Sequence, residues 1–286
     1  QRCSSWNRAS NRQGFKRMKT TPGIYRLSLQ SKIVLTFTSV IALAGFVWPF
    51  FYVGNLHWLF VVAIGASAFL LISEVGIGSI DAKSIALLGV MSAFITLLRP
   101  LGAGAAGLEP IWFALIIAAR VFGPSWGFLL GVTSMTTSAL LTGGVGPWLA
   151  YQVFAAGWIG LLAGALPQKF AGRLIRGTSE KVLLIVVGIF ASFAFGILMD
   201  LQFWPWVLGS NTQLSYIPGG ALSENLSRFI TFHFASSMAW DIPRAILTSV
   251  LIVATATPFL QALRRTYFKA AFLTPIEFKS AVQIKN

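Results

Sequence analysis

The chain has 286 residues, 56% of them hydrophobic and only 10% charged, and its mean hydropathy is +0.74. A soluble domain carries about a quarter charged residues, so the composition excludes an ordinary water-soluble globule and predicts an all-α polytopic membrane protein. The formal net charge of +14 would point to nucleic acid in a soluble chain, but the placement of the charges assigns them to a membrane surface, and one cysteine, Cys3, leaves no internal disulfide to form.

Residues 1–32 read as a basic tail, with Met18 a candidate start. Eight apolar segments follow, at about 33–53, 57–76, 83–99, 110–122, 125–141, 147–166, 182–200 and 239–261. A membrane span takes roughly 20 residues of helix. The fourth segment is shorter and covers only roughly 20 Å. It reads either as the short helix that often marks a transporter binding site or as a helix tilted or buried in the bundle. The basic stretches 1–32 and 263–286 read as cytoplasmic tails on either side of the eight segments.

Lysine and arginine set the expected orientation. With both termini inside, all but three of the 22 basic residues fall on the inner side; the exceptions are Arg99, Arg228 and Arg244. Three stretches then lie outside: "RPLGAGAAGLEP" at 99–110, "TGGVGP" at 142–147, and the long link from Asp200 to about Met238. The part of that link around "LSRFITFHFASSM" is expected to form an interfacial helix.

Gly123, Gly127 and Gly131 recur every fourth residue in the fifth segment, and Gly160 and Gly164 do so in the sixth. Both patterns give smooth faces for close helix packing. Ala82, Ala86, Gly89 and Ala93 form a small-residue stripe on the third segment, suited either to internal packing or to docking another membrane subunit. Asp241 and Arg244 stand three apart and can pair on one helix face. Glu74 and Asp81 flank the second segment. His57 and His233 have no partner at ligand spacing, so no metal is expected. "GRLIRGTS" imitates a phosphate loop but has Thr178 where its lysine should stand. No catalytic motif emerges, and any ATP-driven work falls to another chain. Thr133, Ser134, Thr136, Thr137, Ser138 and Thr142 cluster before the glycine turn. They read either as hydroxyls bonded back to their own helix or as the wall of an outward-facing pocket continued by Trp148, Tyr151 and Gln152. Trp112, Trp126, Trp204, Trp206 and Trp240 are candidate stacking surfaces or interfacial anchors.

Three stretches carry a resemblance: "AKSIALLGVMSAFITLLRPLGAGAAGLEP", "ARVFGPSWGFLLGVTSMTTSALLTGG" and "GPWLAYQVFAAGWIGLLAGALP". From Ala82 to about Arg265 the chain resembles the substrate-binding S component of energy-coupling factor (ECF) transporters, in an actinobacterial-type subgroup. The resemblance implies a six-helix membrane core at 79–262, preceded here by a two-helix extension at 33–78. It also implies a transmembrane scaffold subunit and two ABC-type ATPases as partners, and a vitamin or related micronutrient, such as a cobalamin-like ring system, as ligand. Docking would use Ala82, Ala86, Gly89 and Ala93, although Gly89 departs from a strict every-fourth alanine pattern. The expected ligand contacts are Arg99, Glu109, Trp112, Thr137, Thr142, Gly143, Gly144, Trp148, Tyr151, Gln152, Trp240 and Asp241, beneath a mobile cap at 99–110. No cofactor and no nucleic acid is expected; membrane lipid is. A membrane-embedded enzyme acting on a lipid and a solo carrier are the competing readings.

Overall fold

The computed structural model describes residues 29–51, 65, 82–102, 107–207, 209 and 212–269. The apolar segment 57–76 (Gly65 apart), the tails 1–28 and 270–286, and with them Cys3, His57, Glu74 and Asp81, lie outside the described residues. The described chain is almost wholly helical: α1 (Leu29–Val47), α2 (Ala82–Leu98), α3 (Trp112–Phe122), α4 (Pro124–Thr142), α5 (Leu149–Ala165), α6 (Thr178–Val207), α7 (Leu222–Ser236) and α8 (Met238–Lys269). A two-stranded hairpin, β1 (Lys169–Phe170) with β2 (Arg173–Leu174), joins α5 to α6. The protein is therefore an all-α membrane protein. Ser31–Phe50, Ala82–Gly102, α6 and α8 are each long and apolar enough to cross a bilayer, whereas α3 and α5 are shorter apolar helices.

The short helix α3 holds the centre. Its sequence WFALIIAARVF is apolar all round, which suits a helix enclosed by others, and every residue from Trp112 to Phe122 is buried. Helices α4, α5, α6 and α8 surround it with one continuous apolar core. The chain leaves α3 through Gly123, whose φ of 98° closes one helix while Pro124 opens the next. A side chain disfavours that φ, and proline suits the first helical position. The "GP" pair thus reverses the chain in one residue.

Helices α4 and α5 meet backbone to backbone. A Cβ on Gly127 would strike the carbonyl of Gly160, and one on Gly160 would strike that of Gly127; Gly131 stands in the same relation to Ala156. Packing at this distance takes small residues. Helix α4 ends in the glycine turn: Gly143 adopts φ 68° and ψ 15°, and the Gly144 N–H donates to the Ala139 carbonyl at 2.8 Å. That is the left-handed closure for which glycine is the usual residue.

Helix α6 and the link that follows it differ from expectation. Helix α6 runs past residue 200 to Val207, because Phe203, Trp204 and Trp206 continue its apolar character, with Pro205 confined to the last turn. The link to α8 is correspondingly shorter, and α7 fills its second half. Asn225 is buried and exchanges hydrogen bonds with the backbone of Ile217 through both amide atoms. Helix α1 is fastened by aromatics: Phe46 meets Tyr151 edge-on at 5.0 Å, Trp48 meets Tyr216 at 5.9 Å, and Phe50 stacks on Trp204 at 5.8 Å.

Charge collects at the two ends of this bundle. Glu180 and Asp200 stand twenty residues apart on α6, and Arg244 and Arg264 stand twenty apart on α8. Both separations correspond to roughly 30 Å of helix, about one hydrocarbon thickness. One end is marked by Glu109, the other by Arg120.

Candidate functional site

The Glu109 end gathers polar side chains from several elements. The loop before α3 delivers Glu109, whose Oε2 accepts from Trp112 Nε1 at 2.7 Å and from Arg244 Nε at 3.0 Å. Arg244 Nη1 donates to Asp241 Oδ1 at 2.6 Å and to the Ser192 carbonyl at 3.1 Å. The guanidinium also lies 5.0 Å from the centroid of Phe195, a cation–π contact. Asp241 is fully buried, and its Oδ2 accepts from Ser237 Oγ at 3.0 Å. Its carboxylate packs so closely on Gly196 that a Cβ there would overlap it. Removing either partner of a pair buried this deeply strands a charge, which makes the network a rigid wall.

A second network lies across the bundle. Arg99, just beyond α2, donates through Nη1 to Ser138 Oγ at 2.7 Å and through Nη2 to Gln152 Oε1 at 3.1 Å. Ser92 and Thr133 share a hydrogen bond of 2.6 Å, and Thr96 Oγ1 donates to the Ser134 carbonyl. The third polar contact is His233 Nδ1 with Asp200 Oδ2 at 2.8 Å, joining α7 to α6. Between the second and third networks lies a cleft of about 460 Å³ lined by Trp148, Gln152, Met199, Asp200, Gln202 and Phe203. A volume of this size admits a small organic ligand. Its floor supplies a carboxylate, two amides and three large apolar side chains.

The anticipated contact residues separate into groups. Trp148 and Gln152 line the cleft, with Arg99 bonded behind Gln152. Glu109, Trp112 and Asp241 belong to the wall, where all of Asp241's carboxylate is taken by protein donors. Tyr151 is buried against α1. Thr142 and Gly143 are exposed at the turn and Gly144 is half-buried there. Thr137 is exposed on another face of α4, and Trp240 is half exposed beside Gly107, which packs against the Trp240 carbonyl.

The hydroxyl cluster on α4 is not one wall. Thr133, Ser134, Thr136, Ser138 and Thr142 each donate to a carbonyl three or four residues back on their own helix. Among the described residues, Thr133 also bonds Ser92 of α2 and Ser138 Oγ accepts from Arg99. Sequence reasoning passed over Met199, Gln202 and Phe203 as lining residues. Their signal was present in "MDLQF", the first polar residues after the long apolar run of α6. The small-residue stripe is open: Ala82, Ala86, Gly89 and Ala93 are all exposed, and nothing stands within 4 Å of a Cβ built on Gly89.

Comparison with protein-family models, curated proteins and solved structures finds no match to this chain.

Proposed function

We propose that the chain is the substrate-specific membrane subunit of an ECF-type importer in a prokaryotic plasma membrane. On this reading both termini are cytoplasmic and the helices form eight spans, a six-helix core after two leading helices. It binds a vitamin or related micronutrient at the outer face and hands it on with a scaffold subunit and two ABC-type ATPases. The observation that carries the reading is the cleft between Trp148, Gln152 and Asp200, set at one charged end of the bundle and braced by the Arg99 network on one side and by the Asp200–His233 pair on the other. The open stripe at Ala82, Ala86, Gly89 and Ala93 agrees with a docking role. The test is to purify the protein in mild detergent and identify the co-purifying small molecule by mass spectrometry. A compound that is lost from Trp148→Ala and Gln152→Ala supports the reading; retention by both variants, or recovery of lipids only, counts against it.

One observation favours a second reading, a membrane-embedded enzyme acting on lipid. Asp200 borders the cleft and holds His233, an arrangement able to orient an imidazole for proton transfer. His233→Ala separates the two: an enzyme loses turnover, whereas a binding subunit keeps its ligand and its uptake.

A further inference from the structure

At the opposite end of the bundle, Arg120 and Arg264 share one carboxylate. Arg120 Nε lies 3.0 Å and Arg264 Nη2 2.6 Å from the same Glu180 Oε1. Arg120 and Glu180 are each 1% exposed. Arg120 Nη1 is occupied by the carbonyls of Leu166 and Pro167, at 2.8 and 3.1 Å, where it closes the end of α5. Three buried polar atoms of this cluster then have no hydrogen-bond partner among the described residues, the donors Arg120 Nη2 and Arg264 Nε and the acceptor Glu180 Oε2, and a second acceptor, Gln168 Oε1, follows Pro167 in the chain. Native interiors leave few such atoms.

The charge is also unbalanced. Half-buried Arg176 is near enough to feel its neighbours: burial lowers its pKa most, Arg264 and Arg120 lower it further, and Glu180 opposes them. Two guanidinium groups thus share one buried carboxylate, and a third, that of Arg176, lies within electrostatic range of it. The missing complement is an anion with several acceptor oxygens, which guanidinium binds well. The two stranded acceptors ask in addition for hydroxyl donors.

The surroundings supply the direction of approach. The hairpin beside the cluster carries Lys169 and Arg173, and between them it exposes Phe170 at 76% and Leu174 at 39%. Basic residues beside exposed apolar ones suit the boundary between lipid headgroups and acyl chains. The cluster lies about one hydrocarbon thickness from the Glu109 end. We propose that Arg120, Arg176 and Arg264 form a site for the phosphate group of an anionic phospholipid whose headgroup bears hydroxyls, with Phe170 seated in the same leaflet. This site is independent of the transport reading.

The test uses full-length protein in nanodiscs of phosphatidylcholine alone or with added phosphatidylglycerol, and in detergent with inorganic phosphate. Native mass spectrometry should find a phosphatidylglycerol molecule retained on the wild type. Its Tm should rise by a few degrees with phosphatidylglycerol and not with inorganic phosphate. Arg264→Gln and the half-buried Arg176→Gln should each weaken that retention about tenfold; Arg176→Gln should match the wild-type Tm in phosphatidylcholine, whereas Arg264→Gln should lower it, because it removes a partner of the buried Glu180. Arg120 is left intact because it also closes α5. Equal stabilisation by inorganic phosphate would transfer the site to a free anion and overturn the lipid assignment. Equal behaviour in both nanodiscs, or unchanged retention in both variants, would overturn the site and leave the excess charge to an acidic protein partner.

Discussion

Asp241 and Glu109 hold the same guanidinium, yet their settings differ. The Asp241 side chain is wholly buried, whereas that of Glu109 is 34% exposed. Breaking a buried pair by removing one partner costs about 3–5 kcal/mol, and solvent reduces that figure for an exposed partner. Asp241→Asn should therefore destabilise the protein by about 3 kcal/mol, at the low end because Glu109 still faces Arg244. Glu109→Gln should cost clearly less. Denaturation in mild detergent measures both, and the reverse order would mean that Arg244 depends on the loop more than on its own helix. The i, i+3 spacing of Asp241 and Arg244 was legible in the sequence. The partnership with Glu109 was not, because 135 positions separate the two residues and no periodicity spans a loop.

At the scale of elements, the glycines of α4 and α5 and the alanines of α2 have similar spacing and opposite fates. Gly127 and Gly160 are pressed against each other's backbone, while the Ala86 side is open. Gly160→Leu should overpack the α4–α5 contact and destabilise by roughly 1–3 kcal/mol or more. Ala86→Trp, by contrast, should leave the Tm of the isolated protein and its ligand retention unchanged. If the docking proposal holds, it should abolish assembly with the scaffold and ATPases in a pull-down. A drop in Tm on Ala86→Trp would show that the stripe packs within the chain, and intact assembly would remove the docking role. Small-residue spacing tells only that something approaches closely; whether the neighbour belongs to the same chain depends on where each helix lies.

For the whole molecule, the charged ends marked by Glu180 and Asp200 predict how deeply each part sits. A spin label at Val186, an exposed apolar position on α6, should be relaxed by oxygen dissolved in the bilayer and shielded from a water-soluble nickel reagent. A label at Arg173 in the exposed hairpin should show more contact with the aqueous reagent. Equal aqueous access at both positions would contradict the span assigned to α6.

The sequence by itself determined that this chain lives in a membrane, where α2, α3, α4 and α5 begin and end, and that a glycine turn closes α4. These follow from composition, apolar run length and backbone preference, all local properties of the chain. Glycine spacing likewise announced the close approach of α4 and α5. Only the tertiary structure decided which polar residues meet. It placed Asp241 in a wall, left Thr137 facing outward, and brought Asp200 and Gln202 to a cleft beside Gln152. It also drew Arg120, Glu180 and Arg264 together from three helices. The physical reason is that a buried ion pair forms between side chains brought together by packing. Each helix offers several faces, and only its neighbours choose which one is turned inward.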